Sequence, residues 1–465
     1  MSRLFISAAH KSSGKTTLSI GLCAALNQKG LNVTPFKKGP DYIDPMWLSR
    51  AANNPCLNLD FYTMQHEEIL QHITNSENSS DIILIEGNKG LYDGLDLDGS
   101  NSNAALAMLT KTPVVLVINV QGMTRGIAPL ILGYQAFEKD INIAGVILNQ
   151  YRGLRHEQKL KSVIEHYTDV PVIGAVQHDP ELEIVERHLG LVPSNESTLA
   201  EKKIDQIREL VSEQVDIDTI INIAKQAPSL ERSQPCSSKS SITVSTKVKI
   251  GIIHDAAFGF YYPDDLDSLE KNGAEIVTIN SLTDTNLPTI DGLFIGGGFP
   301  EEHLQELNRN SSLRESIKNA INNGLPTYAE CGGLMYLARS IEWHEEQIEM
   351  VGAIPADCKM HARPQGRGYV QLQETENSLW EYNHSESLAP DAIIPAHEFH
   401  YSSLYNIDSN LKYAFKVKRG TGIIDKKDGL IYKNLLANYT HFRDTSKNQW
   451  TQRFINFVSK IKNSK

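Results

Sequence analysis

The sequence predicts an α/β protein of two domains joined by a linker, and three observations carry that prediction. Short apolar runs, Leu4 to Ser7, Val33 to Phe36, Ile82 to Glu86, Val114 to Asn119, Ile143 to Leu148 and Val172 to Ala175, alternate with helical stretches. Such alternation is the pattern of a parallel sheet covered on both faces. From Gln226 to Lys247 the chain turns to Ser, Thr, Pro and charge with few large apolar residues, which is linker composition. The α/β pattern then restarts with Val248 to His254, a helix around Asp264 to Asn272, Ile276 to Ile279 and Gly292 to Ile295. The expected boundaries are residues 1–225, a linker at 226–247, and a second domain at 248–465.

The first element carries the first motif. Leu4-Phe-Ile-Ser-Ala-Ala-His-Lys-Ser-Ser-Gly-Lys-Thr-Thr-Leu18 reads as a strand, a small-residue loop and a helix start. In the pattern G-x-x-x-x-G-K-[ST], backbone N–H groups and the helix N-terminus cradle phosphate oxygens, the lysine reaches the β/γ-phosphates, and the hydroxyl ligates Mg²⁺. Gly14, Lys15 and Thr16 supply the second half, while Ala9 stands in place of the first glycine. Context supports the assignment: Thr16 to Asn27 carries Leu18, Leu22, Ala25 and Leu26 at helical spacing.

Acids follow the next strands. Phe36-Lys-Lys-Gly-Pro-Asp-Tyr-Ile-Asp-Pro45 is expected to leave Asp41 and Asp44 on an irregular loop, at the strand end where open α/β sheets bind ligands. The structural alternative is that both merely cap turns. Ile82 to Glu86 reads as a buried strand delivering a carboxylate to Mg²⁺, and its glycine-rich continuation carries Asp93. These features suit a nucleotide-dependent switch, kinase or ligase alike.

The second domain narrows the choice. Pro326-Thr-Tyr-Ala-Glu-Cys-Gly-Gly-Leu-Met-Tyr-Leu337 has elbow geometry, in which small residues after a nucleophile permit a tight strand-to-helix turn. Gly332 would offer an oxyanion donor, and Gly297 and Gly298, in Phe294-Ile-Gly-Gly-Gly-Phe-Pro-Glu301, a second. The helix N-terminus is expected to lower the Cys331 thiol pKa. A nucleophilic cysteine needs a base. His397 and His400 lie in one segment and His441 in another, past Leu435 to Tyr439, and spacing alone does not choose among them.

Composition limits the rest. The formal net charge is −11 and the basic residues do not cluster, which argues against nucleic acid or an anionic membrane surface as the main partner. Five cysteines (Cys23, Cys56, Cys236, Cys331, Cys358) form neither a C-x-x-C pair nor an even framework, so a reducing cytoplasm is the expected setting. With no leader-like start and no run of about 18 apolar residues, neither secretion nor membrane spanning is expected.

Over nearly its full length the chain resembles the cobyrinate a,c-diamide synthase family, which includes siroheme-amidating paralogues. The matching segments are Gly39 to Pro45, Glu86 to Gly94, Gly145 to Asn149 and Glu186 to Pro193, then the cysteine elbow, His397-Glu-Phe-His-Tyr-Ser402 and a final Tyr439-Thr-His441. The resemblance implies a P-loop NTPase-like doubly wound sheet followed by a class I glutamine amidotransferase-like domain. It implies a ligase that uses ATP, Mg²⁺ and glutamine on a tetrapyrrole polycarboxylate, and it leaves room for a homodimer. Under it, His441 activates Cys331, and His397 and His400 are supporting. His10, Lys11, Ser12, Ser13, Gly14, Lys15, Thr16 and Thr17 hold ATP. Thr16 and Glu86 serve Mg²⁺, and Asp41, Tyr42, Asp44 and Asp93 order substrate and intermediate.

The chain also departs from the family pattern. Ala9-His10-Lys11 replaces the usual glycine-bearing loop start, so His10 and Lys11 are expected to add positive charge near the phosphates, and Phe442-Arg443-Asp444 follows the final histidine. Asn88-Lys89 and Gly99 to Ala105 resemble the siroheme amidases more than corrin enzymes. A partition or regulatory ATPase would account for the first half and leave Cys331 without a purpose. A biotin-pathway synthetase would need no amidotransferase domain.

Overall fold

The structure, a computed structural model, describes residues 2–464 except 181–183, 185, 188–189, 197–198, 231–246 and 382–391. Two compact units divide the chain, residues 1–237 and 238–465. The division falls within the 226–247 stretch, most of which lies outside the described residues, as does Cys236.

In the first unit, strands and helices alternate: β1 Ser2–Ala8, α1 Lys15–Gln28, β2 Val33–Lys38, α2 Ile43–Ala52, β3 Leu57–Leu59, α3 His66–Glu77, β4 Ile82–Glu86, α4 Asn103–Leu109, β5 Val114–Asn119, α5 Ile127–Phe137, β6 Ile143–Tyr151, α6 Leu154–Tyr167 and β7 Val172–Gln177. The seven strands lie in the order β3-β2-β4-β1-β5-β6-β7, every pairing parallel. All five residues of β4 are buried, as a strand covered on both faces must be. One face packs Phe5, Phe36, Ile83, Ile85 and Leu116 into a shared core. A short hairpin, β8 Glu186–Arg187 and β9 Gly190–Leu191, and helices α7 Ala200–Gln214 and α8 Ile217–Lys225 complete the unit. Part of the Glu186 to Pro193 segment lies outside the described residues.

Register brings the loops together. Ile6 pairs with Glu86, and Glu86 pairs with Lys37 on its other side, so the carboxyl ends of β1, β4 and β2 open side by side. Here the strand order departs from the chain order, the place where open α/β sheets bind ligands. Two expectations need correction. Strand β2 runs on to Lys38, and Asp44 sits in the first turn of α2 instead of on a loop. The cause is Asp41, whose Oδ1 accepts the N–H groups of Ile43 and Asp44 at 3.0 and 3.2 Å and so satisfies two otherwise orphaned donors.

The second unit runs β10 Val248–Ile253, β11 Phe258–Phe260, α9 Pro263–Lys271, β12 Ala274–Ile279, β13 Gly292–Ile295, β14 Gly297–Gly298, α10 Leu304–Arg309, α11 Ser311–Asn322, β15 Thr327–Glu330 and α12 Gly332–Leu337. Strands then dominate: β16 Ser340–Trp343, β17 Glu346–Glu349, β18 Asp357–Met360, β19 Gly366–Glu374, β20 Ile393–His400, β21 Ser402–Tyr405, β22 Lys412–Arg419, β23 Lys427–Tyr432 and β24 Leu435–Asn438, before α13 Trp450–Asn463. The main sheet has the order β12-β10-β13-β15-β24-β23-β22-β19-β20. It is parallel from β12 to β24 and antiparallel beyond.

An aromatic cluster fixes the centre of this sheet. Tyr328 on β15 stacks on Phe294 at 5.3 Å and on Phe442 at 5.7 Å, with Trp380, Trp450 and Phe454 edge-on or tilted around it. Phe442 is fully buried, a burial that contributes about 2–3 kcal/mol. It anchors the residue immediately before it, His441. Asp428 pins the approach: Oδ1 accepts from Tyr439 N–H at 3.1 Å and Oδ2 from Thr440 N–H at 3.1 Å.

Candidate active site

The phosphate loop leaves β1 at Ala8 and enters α1 at Gly14, whose φ of +86° suits glycine. A Cβ there would stand 2.1 Å from Nδ2 of Asn149, and that amide donates to the Ser13 carbonyl at 2.8 Å. Asn149, near the carboxyl end of β6, therefore props the loop. Ser13 Oγ donates to the His10 carbonyl at 2.7 Å. No side chain caps α1 and no acid lies in its first turn, an arrangement suited to an anion. His10, Lys11 and Ser12 are exposed, and Thr16 and Thr17 half-buried.

Buried charge gathers behind the loop. Lys15 Nζ donates to the Lys89 carbonyl at 2.7 Å, and burial together with Lys37 lowers its pKa to about 8. Thr16 Oγ1 donates to Glu86 Oε1 at 2.9 Å and to Asp44 Oδ2 at 3.2 Å. Lys37 stands among the same acids, 2.5 Å from Asp44 Oδ2, 2.6 Å from Glu86 Oε1 and 3.9 Å from Asp41 Oδ2. Its pKa is held well above the usual lysine value: burial opposes the charge, but Asp44 and Glu86 outweigh it. Burial and Asp44 push Asp41 upward. Asp93 Oδ2 accepts the Gly90 N–H at 2.9 Å, holding the turn whose Lys89 carbonyl receives Lys15.

Thr16, Asp44 and Glu86 are hard oxygen donors, a set that suits Mg²⁺ beside phosphate. Among the described residues no group of three or more His, Cys, Asp or Glu forms a metal cage. Mg²⁺ in nucleotide sites is held by one or two carboxylates with phosphates and water, so none is required.

In the second unit Cys331 occupies the turn between β15 and α12 with φ +45° and ψ −102°, a conformation that costs a non-glycine residue about 1–3 kcal/mol and marks nucleophile elbows. The close fit around it demands glycine. A Cβ on Gly332 would stand 3.0 Å from the Gly298 nitrogen, one on Gly333 would stand 2.3 Å from the Ile295 carbonyl oxygen, and one on Gly297 would stand 2.7 Å from His441 Cε1. The elbow, the Gly297-Gly298 strand β14 and the imidazole of His441 thus meet at one place.

The histidines separate by geometry. His397 and His441 exchange backbone hydrogen bonds and stack at 4.9 Å and 16°. Burial, then His441 and Arg443, press His397 well below the ordinary histidine value, which keeps it neutral. His400 stacks on Tyr439 at 3.9 Å, with Nδ1 2.8 Å from the Ser402 carbonyl. Glu330 Oε2 lies 3.3 Å from His441 Nδ1.

The expected fall in the Cys331 pKa is not what the structure holds. Burial, and then the nearby Glu301, push the thiol upward, and the Gly332 N–H opposes them without prevailing. The helix behind the thiol has only six residues, so its dipole is short, whereas desolvation acts on the whole group.

The first unit matches the CobQ/CobB/MinD/ParA nucleotide binding domain family over residues 5–192. The second matches the CobB/CobQ-like glutamine amidotransferase domain family over residues 249–449. The chain is 40% identical over 451 residues to a protein of Magnetococcus marinus named cobyrinate a,c-diamide synthase, covering 96% of this chain and 95% of that one. Relatives with the same name include one from Methanosarcina acetivorans, 40% identical over 100% of this chain and 96% of its own length, and one from Archaeoglobus fulgidus, 38% identical over 99% and 98%. The chain belongs to the cobyrinate a,c-diamide synthase family. It is a glutamine-dependent carbon–nitrogen ligase.

Within this cobyrinate synthase family member, the structure gathers Lys15, Thr16, Asp41, Asp44 and Glu86 around Lys37, with Gly14 at the loop end against Asn149. It gathers Cys331, Gly297, Gly298, Gly332 and His441 at the elbow. Tyr42 is buried, and His400 belongs to the Tyr439 stack. Three side chains that support these sites received no role from the sequence: Lys37, Asn149 and Glu330. The available signals were a lysine pair ending a strand, an asparagine near the end of a parallel strand, and an acid next to the thiol.

Proposed function

We propose that this protein converts the a- and c-acetate carboxylates of cobyrinate to amides, with glutamine or ammonia as nitrogen source and ATP as activator. What supports the reading most is one chain holding both a phosphate loop ringed by acids and a strained thiol elbow. A carboxylate is a poor electrophile until phosphorylated, and free ammonia is mostly protonated at neutral pH.

At the elbow, Cys331 Sγ attacks the glutamine carboxamide carbon, and the thiol proton passes through His441 to the departing nitrogen. Ammonia leaves as the C–N bond breaks, and water releases glutamate from the thioester. Gly298 and Gly332 N–H groups would donate to the developing oxyanion. At the loop, an acetate oxygen takes the γ-phosphoryl group of ATP, giving ADP and an acyl phosphate. Ammonia attacks that carbonyl, phosphate departs, and the nitrogen loses its extra proton. Thr16 and Glu86, with Asp44 beside them, would hold Mg²⁺ to neutralise phosphate charge. His10 to Thr17 hold the nucleotide, Lys15 reaches the transferring group, and Asp41, Tyr42, Asp44 and Asp93 order acceptor and intermediate. The setting is the cytoplasm.

Siroheme is the rival acceptor, kept because Asn88-Lys89 and Gly99 to Ala105 depart from the corrin-enzyme pattern. Asn88 and Asn103, both in segments that depart from the family pattern, are bonded together: the Asn88 N–H donates to Asn103 Oδ1 at 3.1 Å, and Asn103 Nδ2 donates to the Gly90 carbonyl at 2.8 Å. Mass spectrometry with cobyrinate and siroheme offered in parallel, with ATP and glutamine, decides. Two amides added to cobyrinate support the proposal. Amides on siroheme alone move the activity to the rival, and unchanged masses for both sink it.

A further inference from the structure

One buried carboxylate beside the thiol has no task in this mechanism. Glu330 ends β15 and immediately precedes Cys331. Its oxygens are divided: Oε1 accepts from the Tyr328 hydroxyl at 2.5 Å and the Phe442 N–H at 2.8 Å, while Oε2 lies 3.3 Å from His441 Nδ1. The two facing side chains are only 4% and 3% exposed.

We propose that Glu330 is the positioning residue of the thiol site, holding His441 through Nδ1 so that Nε2 serves Cys331 and stabilising the imidazolium formed when His441 takes the thiol proton. The inference rests on the glutamine chemistry proposed above. A neutral imidazole has one N–H and one lone pair, and the partner of the N–H decides which nitrogen is the base. The Tyr328 and Phe442 bonds fix the carboxylate from behind through Oε1 and leave Oε2 for the ring. In this dry setting the carboxylate gains most when the ring becomes charged, so its attraction acts chiefly on the path to the transition state.

Among the described residues, other charged and aromatic groups of this region have partners of their own. His397 presents its ring face to His441. Both Asp428 oxygens accept backbone N–H groups, from Gly429, Tyr439 and Thr440. Arg443 pairs with Asp264 and Asp265. Glu301 acts on the thiol itself, and Tyr328 is bonded to Glu330.

The test follows glutamate release against pH for wild type and E330Q. E330Q should lose about 10²–10⁴-fold in kcat with the glutamine KM within about threefold. Its acid limb should move to lower pH, because the amide no longer favours the charged ring. A wild-type rate overturns the proposal, and so does a lost rate with the limb unmoved, which would make Glu330 a fold element only. A second measurement needs no variant: ¹⁵N-histidine NMR of the wild type, with His441→Asn for assignment, should find the proton of neutral His441 on Nδ1, and a proton on Nε2 overturns the proposal. Glutamine hydrolysis that survives in Cys331→Ala would instead strike the underlying glutamine reading.

Discussion

At the end of β1 the chain opens into a loop whose neighbours are charges; at the end of β15 it closes into an elbow whose neighbours are glycines. The first site organises four ionic groups, Lys37, Asp41, Asp44 and Glu86, around a hydroxyl. The second has a thiol on a strained backbone, with three glycines where no Cβ fits without displacing a neighbour. A group that must hold phosphate can exchange partners, so electrostatics suffices. A nucleophile must meet its base and oxyanion donors at fixed distances, so sterics governs. The two sites should therefore fail differently when altered.

The largest separation should come from Cys331→Ala. Glutamine-driven synthesis is expected to fall more than about 10³-fold, with ammonia-driven synthesis retained; equal loss with both nitrogen sources would erase the distinction. Lys15→Met should do the converse, lowering ATP-dependent amidation about 10²–10³-fold with either source and leaving basal glutaminase in place. Initial rates of glutamate and ADP release check both variants. Gly297→Ala probes the steric site directly. Its Cβ would displace the His441 ring, and glutaminase kcat should drop roughly 10–100-fold with little change in ammonia-driven rate, whereas an unchanged kcat would show the elbow to be looser than its contacts suggest. The smallest effect is expected for Asn149→Ala, which removes one prop of the phosphate loop. About 1 kcal/mol, or roughly fivefold in ATP affinity, should be lost, as read by titration calorimetry.

The same contrast explains what the sequence disclosed. Gly14, Lys15 and Thr16 are consecutive, and so are Cys331, Gly332 and Gly333, so both turns could be read from local pattern. Glu86 was legible because a strand of four apolar residues ends on it. Lys37 was not, since its place between Asp44 and Glu86 depends on the register of β2 against β4. Asn149 likewise reaches the loop from a strand far along the chain. The direction of the Cys331 pKa was misread because a helix start is local and burial is not. Glu330 stood in plain view next to the thiol, but its place beside His441 depends on the Tyr328 hydroxyl and the distant Phe442 N–H that hold its Oε1. The antiparallel extension of the second sheet carried no motif, and its pairing is set by long-range register.

Lys37 carries a practical consequence. An ammonium already seated between Asp44 and Glu86 relieves the repulsion that clustered acids otherwise impose, so the scaffold does not lean on a divalent ion for its integrity. Chelation should silence turnover while the melting temperature stays within about 2 °C of its untreated value, and activity should return on readdition without a refolding lag. Under the proposed Mg²⁺ chemistry, such a protein passes through episodes of magnesium scarcity dormant and undamaged.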